Sequence, residues 1–120
     1  MADPGSRFLG EVLGDVLGDA AFAFGDPCDA PAAWSPPTLL ATIAYECDGR
    51  GVLRLLAEPS AAAELAANML GLEPGDPAAA DHSLATVAEL LNVIGGTYLT
   101  RRYGSGVPSL LGLPVARVLN

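Results

Sequence analysis

Two residues with chemical capacity stand three apart in a segment of helical period, Glu89 and Asn92 in "LATVAELLNVIGGTYLTRRYG". An amide donates and accepts hydrogen bonds at once and needs no particular protonation state, so it is suited to holding a water molecule. A carboxylate beside it accepts hydrogen bonds or pairs with a cation. At about 100° per residue, Leu84, Val87, Leu91, Ile94 and Tyr98 fall within a narrow arc, and Ala85, Glu89, Asn92 and Gly96 fall opposite. The wheel therefore predicts a core face made of the first set, with Glu89 and Asn92 projecting together into solvent from a rigid helix. Gly96, one turn on, leaves that face open to a backbone or side chain from elsewhere, and Val93 flanks it. Taken alone, a Glu-x-x-Asn pair is in most cases a solvated helix face. Asn and two glycines are mediocre helix formers, which weighs only slightly toward function.

The remaining reactive groups form no constellation. Glu64 and Asn68 share a helix face at i and i+4, a spacing that reads as structural. Cys28 and Cys47 fit no metal or redox spacing and read as incidental thiols in a reducing cytoplasm. His82 has no partner pattern, so neither a metal nor a cofactor of the chain's own is expected. The 14 acidic residues outnumber six basic ones, all arginine, for a formal net charge of −8. That balance argues against nucleic acid, which requires clustered cations, and against an anionic membrane surface. Apolar runs stop well short of the ~20 residues a membrane span needs. The opening "MADPGSRFLGEV" shows no signal peptide, so a cytoplasmic location is expected.

The elements that must position Glu89 and Asn92 follow from period and punctuation. Ser6 is read as the N-cap of a first helix reaching about Ala23, with Leu9, Val12, Leu13, Val16 and Ala20 as its buried stripe. Gly10, Gly14 and Gly18 repeat every four residues beside Glu11, Asp15 and Asp19, which suggests close packing against a neighbouring element. A Pro- and Gly-rich loop spans Gly25 to Pro37. "TLLATIAYEC" and "GVLRLLAE" alternate as strands joined at Asp48-Gly49. Pro59 and Ser60 open a second helix that stops at Gly71, and "LEPGDPAAA" reads as a connecting loop. The long helix starts near Asp81 or Ser83 and closes on Arg101 and Arg102, where cations suit a helix C-terminus. "VPSLLGLPVARVLN" reads as short extended segments. The result is one α+β domain over residues 1–120.

These residues resemble a known family. The CheC/CheX/FliY phosphatases share a signature of Asp or Ser, three residues, Glu, two residues, Asn, then 21 residues and Pro. Glu89, Asn92 and Pro114 stand at those spacings, and "AELLNVIGG" is similar to the family's "ELaNmiaG", with Gly96 at its glycine. The order of helix, hairpin, helix, loop and helix is also similar to the CheX arrangement. The resemblance runs from the first helix to Pro114 and implies a CheX-like antiparallel sheet packed with a long signature helix and two shorter ones. Ala85 stands where the family has Asp or Ser. The chain continues only six residues past Pro114, where CheX-like domains add further strands. An uncovered sheet edge, and hence a homodimer, is the expectation from that difference.

The resemblance implies hydrolysis of the aspartyl phosphate on a CheY-like response regulator, as in chemotaxis and other two-component signalling. Asn92 would orient the attacking water, and Glu89 would pair with a lysine of the receiver domain. Mg²⁺ would come from the phosphorylated receiver. The alternative is a non-catalytic receiver-binding or dimerisation module of the same fold, with a purely structural relative as a third reading.

Overall fold

The computed structural model describes residues 4–25 and 34–120, with the backbone alone for residues 4–6. Cys28 and most of the loop after the first helix lie outside the described residues. Helix α1 runs Pro4–Ala21, strand β1 Thr38–Glu46, β2 Arg50–Ala57, α2 Pro59–Leu70, α3 Pro77–Asp81 and α4 Ser83–Tyr103. Two short strands follow, β3 Leu110–Leu111 and β4 Val115–Leu119.

The hairpin forms where alternation and turn chemistry agree. β1 and β2 pair antiparallel from Leu39↔Ala57 to Glu46↔Arg50, and Asp48 and Gly49 between them adopt φ of 53° and 124°. Positive φ at both positions is what tight hairpin turns demand and what Asp-Gly tolerates. β1 is the central strand, because β3 and β4 pair antiparallel along its other side, through Tyr45↔Leu111 and from Thr38↔Leu119 to Thr42↔Val115. Leu39, Ala41, Ile43 and Leu53 point from one face of this sheet into the core. Helix α4 lies across that face, and α1 and α2 complete the layer with Val12, Val16 and Ala62.

Helix ends follow their caps. Pro59 occupies the first turn of α2, and Gly71 ends it in the left-handed region at φ 69°. α1 begins at Pro4 rather than after a Ser6 cap, and it ends two residues before Ala23 because Phe22 turns left-handed at φ 52°. The stretch read as a plain connection contains α3. Asp76 caps it, its Oδ1 accepting from the Ala78 N–H at 2.9 Å, with Pro77 next in the first turn.

The three glycines of α1 do not mediate close packing. A Cβ added at Gly10 or Gly14 would meet nothing within 4 Å, and at Gly18 it would meet only the ring of Phe24, from the reversal that follows the helix. The close approach lies in α4 instead, where a Cβ on Gly95 would come within 3.1 Å of Leu111 and 3.7 Å of Ile43. At the far end of α4, Tyr98 packs its ring against Phe8 and Tyr45 at centroid distances of 5.8 and 6.0 Å. Arg102 lies over the Tyr98 and Tyr103 rings, and its hydrogen bond to the Tyr98 hydroxyl, then charge interaction with Tyr98 and Tyr103, keeps its pKa above the ordinary arginine value. Burial, then the neighbouring Tyr98, pushes the Tyr45 phenol up. On the surface, Asp15 of α1 accepts from Arg101 of α4 at 2.6 Å.

The two adjacent glycines of α4 therefore have opposite expected responses. Gly95→Val drives a branched side chain into Leu111 and Ile43 and should cost about 1–3 kcal/mol. Gly96→Ala meets nothing within 4 Å and should gain about 0.5–1 kcal/mol of helix stability. Urea midpoints at unchanged slope check both.

Candidate functional site

The exposed stripe of α4 is set by what holds its other faces. Val87, Leu90, Leu91, Ile94, Gly95, Tyr98 and Leu99 are buried, so the helix is enclosed over a wide arc by the sheet and by α1 and α2. Ala85 and Glu89 are exposed, and Asn92 and Gly96 are partly exposed on the same stripe. The helical spacing of Glu89 and Asn92 places the carboxylate and the amide side by side on a surface whose backbone is held by regular helix bonds. Gly96 follows one turn on, with open space above it. Neither Glu89 nor Asn92 takes part in a side-chain hydrogen bond or ion pair among the described residues.

Leu84 departs from the core face drawn by the wheel: it is 36% exposed. The first turn of α4 is anchored instead through buried Ser83 and Thr86, and the Ser83 hydroxyl donates to the Ala79 carbonyl of α3 at 3.3 Å. Fixing that turn to α3 directs Leu84 outward. It thus joins Val93, 38% exposed, as an apolar group bordering the carboxylate and amide. The helix wheel places Leu84 in the interior because period alone does not register α3, whose contact with the first turn is what exposes it.

The other motif residues lie elsewhere. Pro114 is half-buried in the connection that leads into β4, so its spacing from Asn92 spans the end of α4 and the return of the chain to the sheet. Glu64 and Asn68 are exposed on α2. Cys47 is a buried free thiol at the hairpin turn. Among the described residues no group of three His, Cys, Asp or Glu is placed to hold a metal ion, and no helix is long and apolar enough to cross a membrane.

No family model matches the chain, and no curated protein matches its sequence. The fold, however, is shared with solved structures. CheX from Desulfovibrio desulfuricans superposes with a TM-score of 0.75 at 16% identity, covering 98% of this chain and 79% of that one. CheX from Vibrio vulnificus gives 0.73 at 18% identity over 98% and 80%. CheX from Borrelia burgdorferi, solved in complex with CheY, BeF3 and Mg²⁺, gives 0.70 at 17% identity over 92% and 74%. The chain therefore has a CheX-like α+β fold, an antiparallel four-stranded sheet with helices on one face.

Because the stripe faces solvent, its chemistry is separable from folding. Glu89→Ala and Asn92→Ala should each change unfolding free energy by less than about 0.5 kcal/mol, measured by urea denaturation.

Proposed function

We propose that the chain is a phosphatase for the aspartyl phosphate of a CheY-like receiver domain, working through the exposed stripe of α4. The observation that carries this reading is the pairing of Glu89 and Asn92 at i and i+3 on the solvent side of α4, within a CheX-like fold. The complex of Borrelia CheX with CheY supports a receiver as the partner.

Phosphoryl transfer depends on positioning and charge neutralisation more than on covalent help from the catalyst. In the proposed step Asn92 accepts from the attacking water and donates to it, holding its oxygen in line with phosphorus. The new P–O bond forms as the bond to the receiver's aspartyl oxygen breaks. The aspartate leaves as a carboxylate and inorganic phosphate is released. Glu89 pairs with a receiver lysine and fixes the register, so that the amide meets the phosphoryl group at the right height. Mg²⁺ bound by the receiver neutralises phosphoryl charge, and the phosphatase supplies no metal ligand. Immobilising the nucleophile removes part of the barrier that free water would face. Leu84 and Val93 give the stripe an apolar border that excludes water on docking.

A second reading rests on Ala85. It is exposed on the same stripe and offers neither carboxylate nor hydroxyl, which favours a receiver-binding module with little turnover. We also propose a homodimer through β4, whose outer edge pairs with no strand among the described residues and whose neighbours Leu113 and Val115 are 88% and 65% exposed.

Phosphate release from a phosphorylated receiver distinguishes the readings. Asn92→Ala should lower turnover about a hundredfold or more with affinity unchanged. Glu89→Ala should weaken affinity on the order of tenfold and lower turnover with it. Ala85→Asp should raise turnover if the missing group limits the rate. Equal rates and affinities in all three variants would leave the stripe a solvated surface. A parent that binds the receiver without releasing phosphate would establish the module instead. For assembly, sedimentation should show a concentration-dependent dimer that Leu113→Glu returns to monomer; a monomer at every concentration removes the edge contact.

A further inference from the structure

The packing that covers one face of the sheet leaves the other face without a helix among the described residues. The strand registers bring Leu40 of β1 opposite Leu56 of β2, and Thr42 of β1 opposite Val115 of β4, with Val52 one step along. These residues alternate with the buried Leu39, Ala41, Ile43 and Leu53, so they point away from the core. Val52, Leu56 and Val115 are 46%, 38% and 65% exposed, an aliphatic surface open to water. An open depression of about 570 Å³ beside it is lined in part by Ala44, Val52 and Leu110.

Among the strand residues of this face, the charges left without an ion-pair partner are of one sign. Arg54 stands opposite Thr42 on one side of β1, and Arg117 stands opposite Leu40 on the other. Both are exposed, and neither has an ion-pair partner among the described residues. Arg50 lies on the same face but is neutralised by Glu46 at 2.8 Å. The chain as a whole carries a formal net charge of −8 with only six arginines, so two unpaired arginines flanking aliphatic side chains form a local exception to its acidic surface. Aliphatic groups between fixed cations match an occupant that is apolar along its middle and acidic at its margins. A second copy stacked face to face would offer Arg54 and Arg117 no unpaired carboxylate from the same strands, since Glu46 is held by Arg50. A lipid surface would have to overcome the repulsion of the whole acidic chain.

We propose that this open sheet face docks an acidic amphipathic helix of a partner protein, with its apolar side chains over Leu40, Val52 and Leu56 and its carboxylates on Arg54 and Arg117. The surface lies on the other side of the sheet from α4, so it can be occupied while the Glu89–Asn92 stripe engages a different molecule. The inference does not depend on the phosphatase reading.

The test is fluorescence anisotropy of a labelled synthetic amphipathic helix with leucines on one face and glutamates beside them, titrated with the full chain. Binding is expected, with affinity falling at least about tenfold in Arg54→Glu/Arg117→Glu and by a smaller factor in Arg54→Gln/Arg117→Gln. Asn92→Ala should leave it unchanged. Raising the salt should weaken it, because the flanking contacts are ionic. Amide chemical shifts should move in β2 and β4 and not along the Glu89–Asn92 stripe. The proposal is overturned if the glutamate helix does not bind, if a lysine counterpart binds equally, or if charge reversal at folded Arg54 and Arg117 has no effect. Preferential binding to phosphatidylglycerol vesicles would assign the face to lipid. A dimer abolished by Leu56→Glu but not by Leu113→Glu would assign it to a second copy.

Discussion

Helix α4 can lie this close to the central strand because residue 95 has no side chain. A Cβ there would stand 3.1 Å from Leu111 and 3.7 Å from Ile43, so the glycine sets both the height of the helix over the sheet and its rotation about its own axis. Rotation decides which residues reach solvent. With Gly95 and Ile94 turned to the sheet and Leu90 and Leu91 turned inward, residues 85, 89, 92 and 96 are carried to the solvent side by helical geometry alone. Turning α4 by one residue would bury a carboxylate or an amide without a partner, at a cost well above that of a misfitted methyl group. The core and the stripe therefore specify the same rotation.

The C-terminal end of α4 fixes the remaining degree of freedom. Tyr98 sits buried between Phe8 and Tyr45 while its hydroxyl is held by Arg102, so helix, first helix and central strand meet at one ring. Gly51 belongs to the same arrangement, since a Cβ there would collide with the Tyr45 ring lying across it. An aromatic ring covering a cross-strand glycine restores the packing that the glycine lacks. With the first turn of α4 anchored through Ser83 and Thr86 and its C-terminal part through Gly95 and Tyr98, the Glu89–Asn92 turn lies between two held ends. The hydrolysis proposed for Asn92 would gain from that placement, because it requires a water held in line to within a fraction of an ångström.

Much of this was readable in the sequence because the relevant signals are local. Asp48-Gly49 between alternating segments specified the hairpin, Gly71 specified the end of α2, and the period of residues 87–98 specified the faces of α4. The glycine repeat of α1 misled for an identifiable reason. Spacing shows which residues share a helix face but not what stands opposite, and the space beside Gly10 and Gly14 is open. Leu84 failed for the converse reason, because its environment depends on α3, five residues whose Asp-Pro start resembles a turn as much as a helix cap. The pairing of β3 and β4 along β1 joins residues some seventy positions apart, a relation that composition and period cannot express.

Charge distribution gives the two sides of the molecule different characters. On the helical side Asp15 engages Arg101, and Glu89 remains an exposed carboxylate without a partner among the described residues. On the sheet side Arg54 and Arg117 are the exposed groups without one. In water, an exposed pair of opposite charges contributes little to stability, and leaving one member out costs equally little. Such unpaired groups are consequently free to be retained for what they meet in a partner. A carboxylate on one face and two guanidinium groups on the other would select partners of opposite sign, on surfaces separated by the thickness of the sheet and helix layers. In the two proposed contacts, the opposite charges of the two faces would add to the discrimination between their partners.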